Sequence, residues 1–356
     1  MSRKCNNCYS KKKEYCPKDN YHTLSRLSDS GCSGKGHGCR CADSTSKSSC
    51  KRDVRTRKID LVTNLTDPLL INAMGILSLH SGLYVANNTT GNVRVYDFNG
   101  TLVNTIDVNN GIIGSAPTSI ILNCTNGFNI PTTLLPATLL IANQFGYISA
   151  YNSSWNSTSS TPVITTPGAS YTGLAIAGSN LYAVDYNANQ IDVFDFNFNP
   201  VVLPGTPFVD PDLPIGLSQN MINVVNIKGL LYVVYNIIDF SGQDSSVINV
   251  FDINGILIRR LITANSLNAP WDIILAPSFL NLPCDSILVS NRGDGRIVIY
   301  NKNGVFIGIF KNCDNTDLII DGLWGLTSNI TNVFFASGPN NELNGLVGKN
   351  YFDCYY

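Results

Sequence analysis

The stretch Leu83-Tyr84-Val85-Ala86-Asn87, continued after a short loop by Asn92-Val93-Arg94-Val95-Tyr96-Asp97 and then by Asn99-Gly100, carries the fold of this chain. The first run is apolar up to a polar last residue. The second alternates apolar and polar side chains, which is the period of a half-buried strand. Asn-Gly then predicts a tight reversal into a third strand, with both turn residues at positive φ. The apolar run recurs as Leu139-Leu140-Ile141-Ala142-Asn143, Leu181-Tyr182-Ala183-Val184-Asp185, Leu231-Tyr232-Val233-Val234-Tyr235, Ile287-Leu288-Val289-Ser290-Asn291 and Val333-Phe334-Phe335-Ala336-Ser337. A spacing of about 40 to 55 residues is the size of a propeller blade.

Outward from these runs, the alternating strand returns at Gly146-Tyr147-Ile148-Ser149-Ala150-Tyr151, Gln190-Ile191-Asp192-Val193-Phe194-Asp195, Val247-Ile248-Asn249-Val250-Phe251-Asp252 and Arg296-Ile297-Val298-Ile299-Tyr300-Asn301. Asn254-Gly255 and Asn303-Gly304 repeat the turn. Inward, each copy is preceded by a run with small residues, such as Met74-Gly75-Ile76, Tyr171-Thr172-Gly173-Leu174 and Leu323-Trp324-Gly325-Leu326, which suits strands crowded around an axis. The last copy runs out of chain before an outer strand. Lys58-Ile59-Asp60-Leu61-Val62-Thr63 can supply it, which would close the ring and remove exposed edges. The reading is an all-β, six-bladed β-propeller closed by an N-terminal strand.

Composition agrees. Hydrophobic residues make up 44% of the 356, and Asn, a turn former, is about one residue in eight. The net charge of −1 hides two opposed parts: residues 1–58 hold about 15 Lys and Arg against about 5 acids, and the remainder carries about 9 bases against about 20 acids. Seven of the 11 cysteines (Cys5, Cys8, Cys16, Cys32, Cys39, Cys41 and Cys50) also precede Lys58. Two domains are therefore expected, a flexible, largely irregular, basic Cys-rich arm over 1–56 and the propeller over 57–356. No apolar signal segment follows Met1, and the longest apolar stretch, 132–142, is too short to span a membrane and holds Pro136.

Chemistry-bearing residues are few. His80 is the only histidine after the arm, in a turn-like Ser81-Gly82 context, so histidine-based acid–base or metal chemistry in the ring is disfavoured, and no catalytic residue is assigned. Asp185, Asn223, Asp272, Asn291 and Glu342 can approach one mouth of the channel. Glu342 is the only glutamate beyond Glu14. Oxygen ligands of this kind suit calcium, as in a lactonase-like propeller, and the competing reading is that Asn and Asp simply form the turns. Trp271 and Trp324 read as core between blades. In the arm, Cys5, Cys8, Cys16 and His22 have loosely zinc-like spacing, but disulfides or interchain bridges are the favoured alternative. The arm's charge suits a polyanion or an acidic partner surface, and without interleaved aromatics no specific nucleic-acid reading is expected.

Pro270-Trp271, Asn291-Arg292-Gly293-Asp294-Gly295-Arg296-Ile297, Ile320-Asp321-Gly322-Leu323-Trp324-Gly325-Leu326, Ala336-Ser337-Gly338-Pro339-Asn340-Asn341-Glu342 and Phe208-Val209-Asp210-Pro211-Asp212-Leu213-Pro214 give the chain, over about 59–349, a resemblance to an uncharacterised family of NHL-like six-bladed propellers of bacteria and giant DNA viruses. It departs from that pattern at Asp272, where Gly usually follows Pro-Trp. The Asn-rich body and basic Cys-rich arm look most similar to members associated with giant-virus surface fibres. The resemblance implies the propeller fold and a virion-surface location, with other virion or surface proteins or glycans as partners, and it carries no established activity. The expected function is a non-enzymatic structural or recognition propeller. The alternatives kept open are a calcium-dependent hydrolase or lyase at the channel mouth and a secreted or cell-surface location.

Overall fold

A computed structural model describes residues 52–108, 115–212, 218–238, 246–263 and 266–354. Strand β1 (Val54–Thr63) comes first. One sheet follows in chain order from β2 (Ala73–Leu79), β3 (Gly82–Asn87), β4 (Asn92–Tyr96) and β5 (Leu102–Asp107), and a second from β6 (Pro117–Leu122), β7 (Leu139–Asn143), β8 (Tyr147–Tyr151) and β9 (Thr161–Thr165). Strands β10 (Tyr171–Ala177), β11 (Asn180–Asp185) and β12 (Gln190–Phe194) make a three-stranded sheet. Strands β13 (Ser218–Ile227), β14 (Leu230–Ile238), β15 (Val247–Phe251) and β16 (Leu257–Thr263) make a four-stranded one. Finally β17 (Pro270–Leu275), β18 (Ile287–Asn291), β19 (Ile297–Tyr300) and β20 (Phe306–Asn312) join β21 (Leu323–Ser328), β22 (Val333–Ser337) and β23 (Leu346–Tyr351) through β1, in the order β17-β18-β19-β20-β1-β23-β22-β21.

The innermost strands touch in a cycle: β2 on β6, β6 on β10, β10 on β13, β13 on β17, β17 on β21 and β21 back on β2. Sheets arranged radially around a closed ring of first strands are a β-propeller. Buried apolar residues fill the spaces between neighbouring sheets. Val62 of β1, for example, packs with Leu70, Ala73, Val85, Phe334 and Val347. Trp271 and Trp324 lie in the cluster between sheets, as their positions predicted.

Ring closure uses more chain than 58–63. Residues 54–56 run parallel to β20, with Val54 opposite Phe310, and 57–63 then run antiparallel to β23, from Arg57 opposite Tyr351 to Thr63 opposite Leu346. One strand thus covers two sheet edges, leaving neither open for pairing with another chain. The disulfide Cys313–Cys354 fastens the end of β20 to the segment after β23.

One local expectation is corrected. In the Asn-Gly turns only the glycines, Gly100, Gly255 and Gly304, have positive φ, and their asparagines do not. The residue two places before each Asn closes the loop instead: Asp97 Oδ1 accepts from the backbone N–H of Asn99 (2.9 Å) and Thr101 (2.8 Å), and Asp252 and Asn301 repeat the arrangement. This is an Asx-stabilised turn ending in a bulge, which accounts for the register shift between Val95 and Tyr96. The β10–β12 sheet also lacks a full outer strand. Only a Phe194–Pro200 bridge and a Val201 N–H to Val193 carbonyl bond continue it. Pro200, Pro204 and Pro207 follow in quick succession, and proline cannot donate to a ladder.

Candidate functional site

The axis is lined by the innermost strands, which share a β-bulge near their starts. Just beyond it stand Ser119, Gly173, Asn223 and Asp272, and within the corresponding irregularities of β2 and β21 stand Gly75 and Gly325. The glycines answer a steric demand: a Cβ on Gly173 would sit 2.0 Å from Asn223 Oδ1, and one on Gly325 would sit 2.6 Å from the Met74 carbonyl oxygen. At such separations side chains bond directly to the next strand. Thr118 Oγ1 donates to the Tyr171 carbonyl (2.7 Å), Thr172 Oγ1 to the Ile222 carbonyl (2.6 Å) and Asn223 Nδ2 to the Trp271 carbonyl (3.0 Å). The Leu326 N–H donates to Asp272 Oδ2 (2.9 Å). The result is a belt of hydrogen bonds running from sheet to sheet around a cavity of about 190 Å³, with Thr118, Thr172, Asn223, Trp271, Asp272 and Thr327 among its lining residues.

Asp272 is the charged group of this cavity. Besides Leu326, its carboxylate accepts from the Ile273 N–H (2.8 Å) and from Asn223 Nδ2 (3.2 Å). Burial, only partly opposed by these three bonds, pushes its pKa up to about 6. Asn223 and Asp272 are thus brought together, inside the channel and within its hydrogen-bonded wall.

Asp185 and Asn291 stand elsewhere. They end the second strand of their sheets, at positions equivalent to Asn87 and Asn143, and all four are buried. Each grips the loop that enters its own innermost strand: Asp185 Oδ1 accepts from the Ser170 N–H (2.9 Å), Asn87 Oδ1 from the Ile71 N–H (2.8 Å), Asn291 Nδ2 donates to the Ser266 carbonyl (2.9 Å) and Asn143 Nδ2 to Ser115 Oγ (2.5 Å). In these four runs the polar last residue that marks the sequence pattern is a loop fastener.

Glu342 lies on a loop where Asn340, Asn341 and Glu342 all have positive φ. Its Oε2 accepts from Asn72 Nδ2 (3.1 Å), and its Oε1 is 3.7 Å from Arg292 Nη1. Arg292 covers the face of Trp324 at 4.8 Å, and the Trp324 ring meets Trp271 edge-on at 4.5 Å. Trp324 Nε1 donates to Asn72 Oδ1 (2.9 Å). A column of Glu342, Arg292, Trp324 and Trp271 therefore leads from the rim to the cavity wall. Arg292 had a signal in its exposed turn beside a tryptophan-bearing repeat, whereas Asn72 had none that set it apart from the many other asparagines.

Among the described residues no three His, Cys, Asp or Glu side chains cluster as a metal site. Cys5, Cys8, Cys16 and His22 lie outside the described residues. Two further ion pairs, absent from the sequence reading, are structural. Asp67 binds Arg94 through two 2.6 Å bonds and accepts from the Tyr96 hydroxyl (2.7 Å), while Asp210 binds Arg260 (2.8 Å) and Asn249 (2.9 Å). Both aspartates precede proline in the loop leading to an innermost strand.

No protein-family model matches the chain. An uncharacterized protein of Acanthamoeba polyphaga mimivirus is 36% identical over 326 residues, which is 84% of this chain and 81% of the relative. A second uncharacterized protein of that virus is 35% identical over 84% of this chain and 87% of its own length. The chain belongs to this mimivirus family. The family's architecture is shared with distant solved structures. An auxiliary nutrient binding protein of Bacteroides ovatus superposes with a TM-score of 0.56 at 11% identity, covering 79% of this chain and 69% of that one. A luciferin-regenerating enzyme gives 0.53 at 11% identity, covering 83% and 95%. Virginiamycin B lyase from Staphylococcus aureus gives 0.51 at 10% identity, covering 83% and 99%. Binding protein and enzymes alike use the fold, so the likeness of this mimivirus family to them concerns the fold alone.

Proposed function

We propose that residues 57–356 form a six-bladed ring acting as a non-enzymatic recognition module, held on a particle surface by the basic arm 1–56 and meeting other surface proteins or glycans. The observation that carries this reading is the employment of the candidate side chains. Asp185 and Asn291 are spent on loop backbone, Asn223 and Asp272 on the belt between innermost strands, and Glu342 on Asn72 and Arg292. A general acid or base needs a proton-transfer partner within reach of substrate, and these groups are engaged by backbone or by neighbouring side chains instead. The blade count rests on the cycle of innermost strands, and the viral setting on the family's mimivirus members.

The test is deletion of residues 1–51 from the viral copy, followed by immunodetection on purified particles. Loss of the protein from particles, with unchanged expression, supports the arm as anchor, and undiminished incorporation overturns it. A calcium-dependent hydrolase or lyase at the mouth is the second reading, favoured by one feature, the half-buried carboxylate of Asp272 lining a cavity. It requires bound metal by mass spectrometry, or a thermal shift on adding calcium that Asp272→Asn removes.

A further inference from the structure

We infer that the channel cavity binds a small primary aliphatic amine, with the ammonium group on the carboxylate of Asp272 and the alkyl chain against the aliphatic wall. Asp272 is the one charged residue among those lining the cavity. The strands that pack on β17 or complete the lining, β2, β6, β10, β13, β14, β18 and β21, contain no Asp, Glu, Lys, Arg or His. None of the salt bridges among the described residues includes Asp272. A carboxylate drawn partly out of water without a counter-charge is costly, and a bound cation offsets that cost. The raised pKa of Asp272 has the same origin.

The hydrogen bonds already made leave room for such a ligand. An ionised carboxylate has about four acceptor sites. Oδ1 of Asp272 accepts from the Ile273 N–H and from Asn223 Nδ2, whereas Oδ2 accepts from the Leu326 N–H alone. One acceptor site on Oδ2 therefore remains. The hydroxyls of Thr118 and Thr172 have committed their hydrogens to the Tyr171 and Ile222 carbonyls, so within the lining their oxygens can only accept. An ammonium group has three N–H donors and no acceptor, which is the complement of these groups.

The rest of the lining selects an organic cation over a metal ion. Calcium takes about six to eight oxygen ligands. Here Asp272 is the only carboxylate, and Ile76, Leu77, Ile120, Leu174, Ile273 and Leu326 are aliphatic. An alkyl chain gains by leaving water for such a wall, where a hydrated metal ion would lose its shell without replacement. An apolar cavity of about 150 Å³ is enough to take up benzene. At about 190 Å³ this cavity has space for an amine of about four to six carbons. A second ammonium would find no second carboxylate, so a monoamine is preferred to a diamine. The site is independent of the anchoring proposed above.

Titration of the full chain, labelled at Ile, Leu and Val methyls, with n-butylamine at pH 8 tests this by NMR, since the carboxyl is then ionised and the amine protonated. Saturable shifts are expected at Ile120, Leu174, Val225 and Ile273. n-Butanol, of the same length without the charge, should bind about tenfold more weakly, the worth of a charge-assisted hydrogen bond. Asp272→Asn should weaken the amine by a similar factor and leave the alcohol unchanged, and lowering the pH to 5 should weaken the amine in wild type. The comparison of amine with alcohol needs no variant to fold. Equal affinities for the two, no saturable shift at these methyls, or undiminished amine binding by folded Asp272→Asn overturns the inference. So does calcium chloride that moves the same methyls and displaces the amine, a result that would favour the metal-dependent reading instead.

Discussion

Asp67 shows how single residues hold the ring. Burial alone would raise its pKa, but hydrogen bonds from Arg94 and Tyr96 and the charge of Arg94 outweigh burial and leave it below its ordinary value. Its stabilisation is therefore fully present above the unfolded carboxyl pKa and is lost as pH falls through the folded one. Asp67→Asn leaves Arg94 buried without its counter-charge, and a loss of about 3–5 kcal/mol is expected in urea unfolding at pH 7. Asp272 has the opposite sign. With a folded pKa of about 6 against an ordinary 3.8, it contributes stability that is complete below 3.8 and is lost as pH rises through 6. The rise bounds that loss at about 3 kcal/mol. Unfolding free energies measured at pH 4.5 and 7 should therefore show wild type losing about 2 kcal/mol relative to Asp272→Asn. An equal slope in both proteins would mean that Asp272 is solvated.

At the scale of elements, β1 and the Cys313–Cys354 bond do related work, since both join the β17–β20 sheet to the β21–β23 sheet. The bond spans a sequence separation of 41, and its removal in Cys313→Ser is expected to cost about 3–4 kcal/mol by relaxing the unfolded chain, read as a lower urea midpoint that reducing agent reproduces in wild type. Val62→Asp, which places a charge among Leu70, Ala73, Phe334 and Val347, should abolish cooperative unfolding, because the closing strand loses its apolar anchor. The elements themselves were largely legible in the sequence. Apolar runs ending in a polar residue marked the second strands, alternation marked the third, and 58–63 was recognisable as the missing outer strand. The turn type was not legible, because Asn-Gly fits both a two-residue reversal and the longer Asx-closed one, and only the register of the flanking strands decides between them. The site was half legible. Asn223 and Asp272 meet because the bulge brings neighbouring innermost strands within side-chain reach, while Asp185 and Asn291 share a polar character that strand position turned to structure. The column from Glu342 through Arg292 to the two tryptophans depends on loops far apart in sequence.

For the molecule as a whole, the division of charge is the property on which partner choice turns. Residues 1–51 carry 11 Lys and Arg against 4 acids, so removing them takes the chain from a net charge of −1 to about −8. A near-neutral average says little when the two signs are separated along the chain, because a partner or a resin meets local potential, within a Debye length of about 8 Å at physiological salt, rather than the sum. The intact chain is therefore expected to bind a cation exchanger at pH 7 and to elute with salt, while the chain lacking 1–51 flows through it and binds an anion exchanger.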